Sequence, residues 1–164
     1  MKVRTAYLDT SFIGDTILSL KEERRKHVDD IITLANDKYI TLYTSEWDIL
    51  ELKVAPLKLQ DALFSSYKAI PKVELSLHRE IDDLAGMYLE NQLLTEADAY
   101  HLAYATFYMA NIFLTLNRRT IIARKDEIKK INDRLGHPTP VLVKPVDFLA
   151  KVKIVGNSLL YKAD

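Results

Sequence analysis

The chain has 164 residues and a mass of 18.9 kDa, a size that suits one domain with a substantial hydrophobic core. Its 23 basic and 23 acidic residues give a net charge of zero, which argues against a protein that coats nucleic acid by bulk electrostatic attraction. Because cysteine is absent, disulfides, thiolate nucleophiles and zinc–thiolate sites are excluded. The sequence shows neither a secretory signal nor an apolar run of ~20 residues, so we expect a soluble cytoplasmic protein.

The first half of the chain alternates predicted strands and helices. Residues 4–8 form a short apolar strand, after which Ser11 is placed to begin a helix. A second helix is predicted from the apolar face that includes Val28 and Ile31, followed by a strand at residues 39–44. Ser45 and Asp48 then have the spacing of a capping box at the start of another helix.

The second half continues the alternation without a hairpin signal. Helices are predicted at residues 57–67, 74–91, 95–109 and 121–135, strands at 112–115 and 141–143, and a helical turn after Pro145. Strands that alternate with helices predict a three-layer α/β/α domain with a mostly parallel central sheet. We assign residues 1–150 to this domain and residues 151–164 to a tail that forms an edge strand or an interaction arm.

Three polar residues occur where a predicted strand ends or a predicted helix begins: Asp9, Asp98 and Asn117. The carboxyl ends of parallel strands face one crevice, where ligands bind, so these side chains are expected to converge. Each also has a purely structural interpretation. Asp9 suits a helix or turn cap, Asn117 suits a turn, and the carboxylate of Asp98 has capping-box spacing from Thr95.

A divalent metal is a second explanation for a carboxylate at the crevice. Asp98 begins an inward-facing stripe with Leu102 and Ala105, and a buried unpaired carboxylate costs several kcal/mol unless a cation or hydrogen-bond donors compensate it. Glu51 shares a helix face with Trp47, so we prefer it as a third ligand.

Other polar residues in these segments receive structural interpretations. Glu46 and Asp48 are attributed to the helix dipole, because acids are favoured in a first helical turn. His101 lies one helical turn after Asp98 and is interpreted as a packed, hydrogen-bonded residue, because magnesium prefers oxygen ligands.

A basic segment follows Asn117 and extends to Arg134. It is either a solvated helix face or a surface that holds a phosphate backbone. In the second case the candidates for gripping the backbone are Arg118, Arg119 and Arg124. The motifs of serine nucleophile elbows and phosphate-binding glycine loops do not occur.

Taken together, these segments resemble PIN-domain ribonucleases, and among them the VapC-like toxins of toxin–antitoxin modules. The resemblance runs from Val3 to Leu149, and the segments that carry it are Asp9-Thr10-Ser11, Glu51, Asp98-Ala99-Tyr100-His101-Leu102-Ala103-Tyr104-Ala105 and Phe113-Leu114-Thr115-Leu116-Asn117. It implies a Mg²⁺- or Mn²⁺-dependent endoribonuclease whose metal ligands are Asp9, Glu51 and Asp98, with Asn117 assisting through its amide or a water. It also implies a homodimer and a cognate antitoxin.

One position departs from the family pattern. Asn117 stands where many PIN domains have a further aspartate, which lowers the negative charge of the site by one and favours a single-metal or weaker nuclease. The same substitution keeps open a PIN-like module that binds RNA or protein without cleaving. A phosphoacceptor receiver domain is disfavoured, because Asp9 has no acidic neighbour.

Overall fold

The computed structural model describes residues 1–18, 22–117 and 119–162. Its strands, in chain order, are β1 (Lys2–Val3), β2 (Thr5–Leu8), β3 (Thr41–Ser45), β4 (Lys72–Leu75), β5 (Ile112–Leu114), β6 (Val141–Val143), β7 (Val152–Val155) and β8 (Ser158–Tyr161). Five of them form a parallel sheet in the order β4-β3-β2-β5-β6. This confirms the predicted parallel central sheet.

Helices cover both faces of this sheet. They are α1 (Thr10–Leu18), α2 (Glu22–Asn36), α3 (Glu46–Val54), α4 (Leu57–Ala69), α5 (Arg79–Glu90), α6 (Glu96–Phe107), α7 (Lys125–Leu135) and α8 (Pro145–Lys151), with a 3-10 turn at Ile122–Arg124. The result is the predicted three-layer α/β/α architecture. Across the described residues, no helix combines the length and apolar character needed to cross a bilayer.

Two hydrophobic clusters fill the layers on either side of the sheet. One includes Phe12, Ile31 and Phe148 from α1, α2 and α8, and the other includes Ile81 and Leu102 from α5 and α6. Successive strand residues contribute to opposite clusters, because side chains alternate across a strand. All the strand residues Ala6, Tyr7 and Leu8 are therefore buried, as expected for a sheet covered on both faces.

The prediction of a helix at residues 74–91 is wrong for its first turn. Residues 72–75 instead form β4, which pairs in parallel with β3 and places Leu75 opposite Ser45. The helix begins only at Arg79, with His78 in extended conformation before it. Leu77 fitted the helical spacing, yet it is exposed and belongs to the connection. Pairing with a distant strand decides the structure here, and that pairing has no local signal.

The end of the chain forms a second, smaller sheet. β8 lies between β1 and β7 and is antiparallel to both. Leu159 and Tyr161 are buried, and the ring of Tyr161 stacks on Phe148 with centroids 6.1 Å apart. The tail thus contributes β7 at the edge of this sheet and β8 at its centre. A role for it in contacting a partner stays a prediction.

Candidate functional site

The candidate site lies at the carboxyl ends of β2 and β5, where the strand order of the sheet reverses. β2 has β3 on one side and β5 on the other, so the connections diverge here and leave a crevice. Asp9 follows β2 directly. Ser11 joins the two strand ends, because its hydroxyl donates to the Asp9 carboxylate and accepts from the backbone N of Leu116 at 3.1 Å. Asn117 is the next residue.

Asp9 is a buried carboxylate with several donors around it. Burial raises its pKa, while the nearby His101 and hydrogen bonds from Ser11, Thr115 and the backbone N of Phe12 act in the opposite direction. The Phe12 N–H lies 3.2 Å from Asp9 Oδ1. The effect of burial is the larger, so the pKa of Asp9 is raised. A positive charge beside Asp9 would therefore offset the cost of burying its ionised carboxylate.

Asp98 lies in the first turn of α6, and its carboxylate faces the loop after β5. Asn117 Nδ2 lies 3.1 Å from both of its carboxylate oxygens, and the Thr120 hydroxyl donates to Oδ2 at 2.6 Å. The helix cap is supplied by Thr95, whose hydroxyl accepts from the Asp98 backbone N at 3.3 Å. The Asp98 carboxylate is not used for the helix cap and bonds Asn117 and Thr120 instead.

Glu51 is held by a histidine. Its Oε2 lies 2.6 Å from His101 Nε2 and also accepts a hydrogen bond from the Thr10 hydroxyl. Partial burial alone would raise the pKa of Glu51, but His101 and Thr10 bring that pKa below its ordinary value. Burial alone would lower the pKa of His101, but the carboxylates of Asp48, Glu51 and Asp9 raise it to about 9. The histidine was correctly expected to be packed and hydrogen-bonded, and its partner is a candidate ligand.

A buried polar network extends behind this pair, and sequence reasoning missed it. The Tyr7 hydroxyl lies 2.8 Å from His101 Nδ1, 2.6 Å from Ser45 Oγ and 3.3 Å from Asp48 Oδ2. Asp48 also accepts from the Ser45 backbone N at 2.7 Å, which confirms the capping box. The carboxylate is fully buried, so its role goes beyond the helix dipole. A tyrosine in a buried strand was the available signal, because a buried hydroxyl needs a partner.

An aromatic pair lies beside the crevice. Trp47 precedes Glu51 by one helical turn, and its ring stacks on Tyr100 with centroids 4.0 Å apart and planes 8° from parallel. The Tyr100 hydroxyl donates to Asp82 at 3.0 Å. Trp47 Nε1 is buried and has no hydrogen-bond partner among the described residues. The stack joins α3 to α6.

Similarity to known proteins is found only among solved structures. No model of a known family matches the sequence, and no curated protein does. VapBC2 from Rickettsia felis, bound to a DNA fragment from their promoter, matches with a TM-score of 0.57 and 13% identity over 85% of this chain and 98% of the other. The chain therefore has a PIN-like fold.

Two further complexes agree with this assignment. VapBC-1 from nontypeable Haemophilus influenzae matches with a TM-score of 0.52 and 17% identity over 87% of this chain and 98% of the other. A toxin–antitoxin complex from Klebsiella pneumoniae matches with a TM-score of 0.53 and 16% identity over 70% of this chain and 88% of the other. Likeness at such identities establishes the PIN fold and leaves activity to be argued from the site.

The predicted ligands of the PIN fold do not form a closed metal cage. Among the described residues, no group of three or more histidine, aspartate or glutamate side chains is arranged to hold a metal ion. Magnesium, however, keeps several waters and commonly uses only one or two carboxylates. A site of that smaller kind would need only the carboxylates of Asp9 and Asp98. Glu51, whose Oε2 is taken by His101, does not fit as a ligand through both oxygens.

The three arginines predicted to bind the RNA backbone differ in their surroundings. Arg118 lies outside the described residues, and Arg119 is exposed. Arg124 has its guanidinium 3.7 Å from Glu127, in a pair of which both side chains are about half exposed. An exposed pair of this kind is worth little, so a phosphate would compete easily with Glu127. Their binding to RNA stays a prediction.

Proposed function

We propose that this chain is a Mg²⁺- or Mn²⁺-dependent endoribonuclease that hydrolyses RNA phosphodiesters and acts as the toxin of a toxin–antitoxin pair. The observation that carries the proposal is the placement of Asp9 and Asp98, two buried carboxylates from separate elements, at the switch point of a PIN fold. The likeness to VapBC complexes supports a cognate antitoxin. A homodimer and a cytoplasmic location belong to the same proposal.

The residues of the chain prepare the crevice for a phosphodiester. Ser11 fixes Asp9, while Asn117 and Thr120 fix Asp98, so both carboxylates are oriented before RNA binds. A divalent ion held by Asp9 and Asp98 would neutralise phosphate charge and make water more acidic. The chain needs no covalent nucleophile for hydrolysis. We assign Arg118, Arg119 and Arg124 to the RNA backbone, because guanidinium groups match phosphate oxygens in charge and geometry.

A second candidate is a PIN-like module that binds RNA or protein without cleaving. The specific observation in its favour is that Asp98 already receives three hydrogen bonds, two from Asn117 and one from Thr120. A carboxylate satisfied in this way has less need of a cation. The two candidates differ in whether RNA is cut and in whether the cut depends on Asp98.

The decisive experiment incubates purified protein with total RNA, with and without Mn²⁺, and maps the cut ends. We expect cleavage by the wild type that Asp98→Asn abolishes while the fold is retained. Asp83→Asn is the matched control, because Asp83 is an exposed aspartate on α5. Cleavage that survives Asp98→Asn would refute the assignment. Binding of RNA without any cleavage by the wild type would favour the module.

A further inference from the structure

The two carboxylate oxygens of Glu51 have different surroundings. Oε2 receives hydrogen bonds from His101 and Thr10, whereas Oε1 receives none from the described residues. The side chain is 29% exposed, so the carboxylate is within reach of solvent. Ligation of a metal through both oxygens would require the loss of the two bonds to Oε2. The carboxylate therefore offers one acceptor atom to the crevice.

His101 is itself fixed from behind. Its side chain is 4% exposed, and its Nδ1 lies 2.8 Å from the Tyr7 hydroxyl. Tyr7 is in turn held by Ser45 at 2.6 Å and stacks on Phe113 with ring centroids 5.5 Å apart. Because one ring nitrogen is occupied by Tyr7, the other is aimed at Glu51. The orientation of the imidazole thus comes from the buried sheet and not from solvent.

We propose that His101 is a positioning residue, which holds Oε2 of Glu51 so that Oε1 orients the water attacking the phosphodiester. This inference rests on the proposed ribonuclease activity. In the hydrolysis, the water oxygen forms the new P–O bond and the ester P–O bond breaks. The departing oxygen takes up a proton, and the attacking water releases one to solvent. Glu51 aligns the water as a hydrogen-bond acceptor, and His101 touches neither RNA nor water.

Steady-state cleavage of one defined RNA by three variants tests the positioning role. His101→Leu removes the donor at similar size, and we expect kcat to fall about 10–100-fold with KM changed less than about threefold, as for other residues that orient a reacting group. His101→Gln retains an N–H donor near the position of Nε2, so it should recover most of kcat. His78→Leu is the control, because His78 packs on Phe107 and Tyr108 instead of Glu51.

A double-mutant cycle in metal-free buffer gives a readout independent of cleavage. Urea unfolding of Glu51→Ala, His101→Leu and the double variant should show coupling of about tenfold in the unfolding equilibrium constant, because the two side chains are in direct contact. Additive effects of the two substitutions would overturn the inference. So would a wild-type kcat in His101→Leu, or equal impairment of the leucine and glutamine variants.

The same data separate this inference from the proposed function. If the wild type cleaves RNA and the cycle shows no coupling, the ribonuclease stands and the positioning role fails. If the wild type cleaves no RNA under any metal condition, the proposed function fails. Coupling measured in that inactive protein would still show that His101 holds Glu51. The absence of cleavage would overturn the assignment of Oε1 to an attacking water.

Discussion

Asn117 presents its amide nitrogen to Asp98, at 3.1 Å from each carboxylate oxygen. Its amide oxygen accepts from the backbone N of Thr120 at 3.3 Å, which sets the orientation of the amide. An aspartate at position 117 would bring a second negative charge to the side of Asp98 that now receives a donor. The neutral amide therefore supplies part of the compensation that a cation would supply between two acids.

Asn117→Asp should destabilise the protein in the absence of metal and increase its response to metal. Loss of a donor and repulsion between two carboxylates is expected to cost about 1–3 kcal/mol of unfolding free energy. Mn²⁺ should restore more stability than it adds to the wild type, because a ligand that binds only the folded state stabilises it. Urea unfolding in EDTA and in Mn²⁺ measures both effects.

Asn117→Ala is the control for that substitution. It removes the donor to Asp98 without adding charge, so its response to Mn²⁺ should not exceed that of the wild type. An equal response to Mn²⁺ in the aspartate and alanine variants would show that charge at position 117 does not set metal affinity.

Tyr7→Phe should lower the free energy of unfolding far more than the removal of an exposed tyrosine hydroxyl does. The Tyr7 hydroxyl contacts Ser45 and His101 in a fully buried setting, and its removal leaves His101 Nδ1 without a hydrogen-bond partner among the described residues. We expect a cost of about 1–3 kcal/mol in urea unfolding. Tyr100→Phe loses only an exposed bond to Asp82 and should stay within about 0.5 kcal/mol of the wild type. Similar costs for the two variants would contradict the network.

The stability of the protein should fall as pH rises from about 6.5 to about 9. Burial lowers the pKa of His101, but Asp48, Glu51 and Asp9 together raise it from 6.5 to about 9 in the folded state. A raised pKa means that the folded state binds the proton more tightly than the unfolded state does. This stabilisation is complete below pH 6.5 and is lost as the pH rises to about 9. The loss is expected on the order of 1–3 kcal/mol.

Urea unfolding at several pH values, in chelator, measures this loss. His101→Gln cannot titrate in the window and should show a flatter profile between pH 6.5 and 9. A profile in that variant as steep as the wild type's would assign the pH dependence to other groups.

The small terminal sheet should contribute to stability through one side of β8. Leu159 is buried, whereas its neighbour Leu160 is 38% exposed, because side chains alternate across the strand. Leu159→Ala is expected to cost about 2–5 kcal/mol, and Leu160→Ala well under half of that. Thermal unfolding compares them, with a shift of about 2–4 °C per kcal/mol for a chain of this size. Equal shifts would mean that the sheet is not packed on the domain.

The layers of the fold were predictable because local patterns and the tertiary structure agree. β2, β5 and β6 are short apolar runs, and the Ser45–Asp48 capping box sets the start of α3. β4 was missed because two of its four side chains are exposed and its pairing with β3 comes from another part of the chain. Local spacing at residues 74–78 favoured a helix, and an edge strand gives no periodic signal strong enough to oppose it.

The candidate site was predictable in its outline and not in its connections. Asp9 and Asn117 were found because the ends of parallel strands meet at one crevice. The partner of Glu51 could not be found in the same way. His101 and Thr10 come from separate helices, and only the folded chain shows that both bond the Glu51 carboxylate while Tyr7 holds the other ring nitrogen of His101. The same holds for Asp48, whose complete burial no helix-start pattern reveals.

The stack of Trp47 on Tyr100 has a practical consequence for spectroscopy. Trp47 is the single tryptophan of the chain, and it lies on the helix that carries Glu51. Its partner Tyr100 is the residue before His101. The ring stack therefore joins the same two helices, α3 and α6, as the His101–Glu51 bond. Intrinsic fluorescence excited at the indole therefore reports from the edge of the crevice alone. Events there are observable without a label, in the unmodified protein.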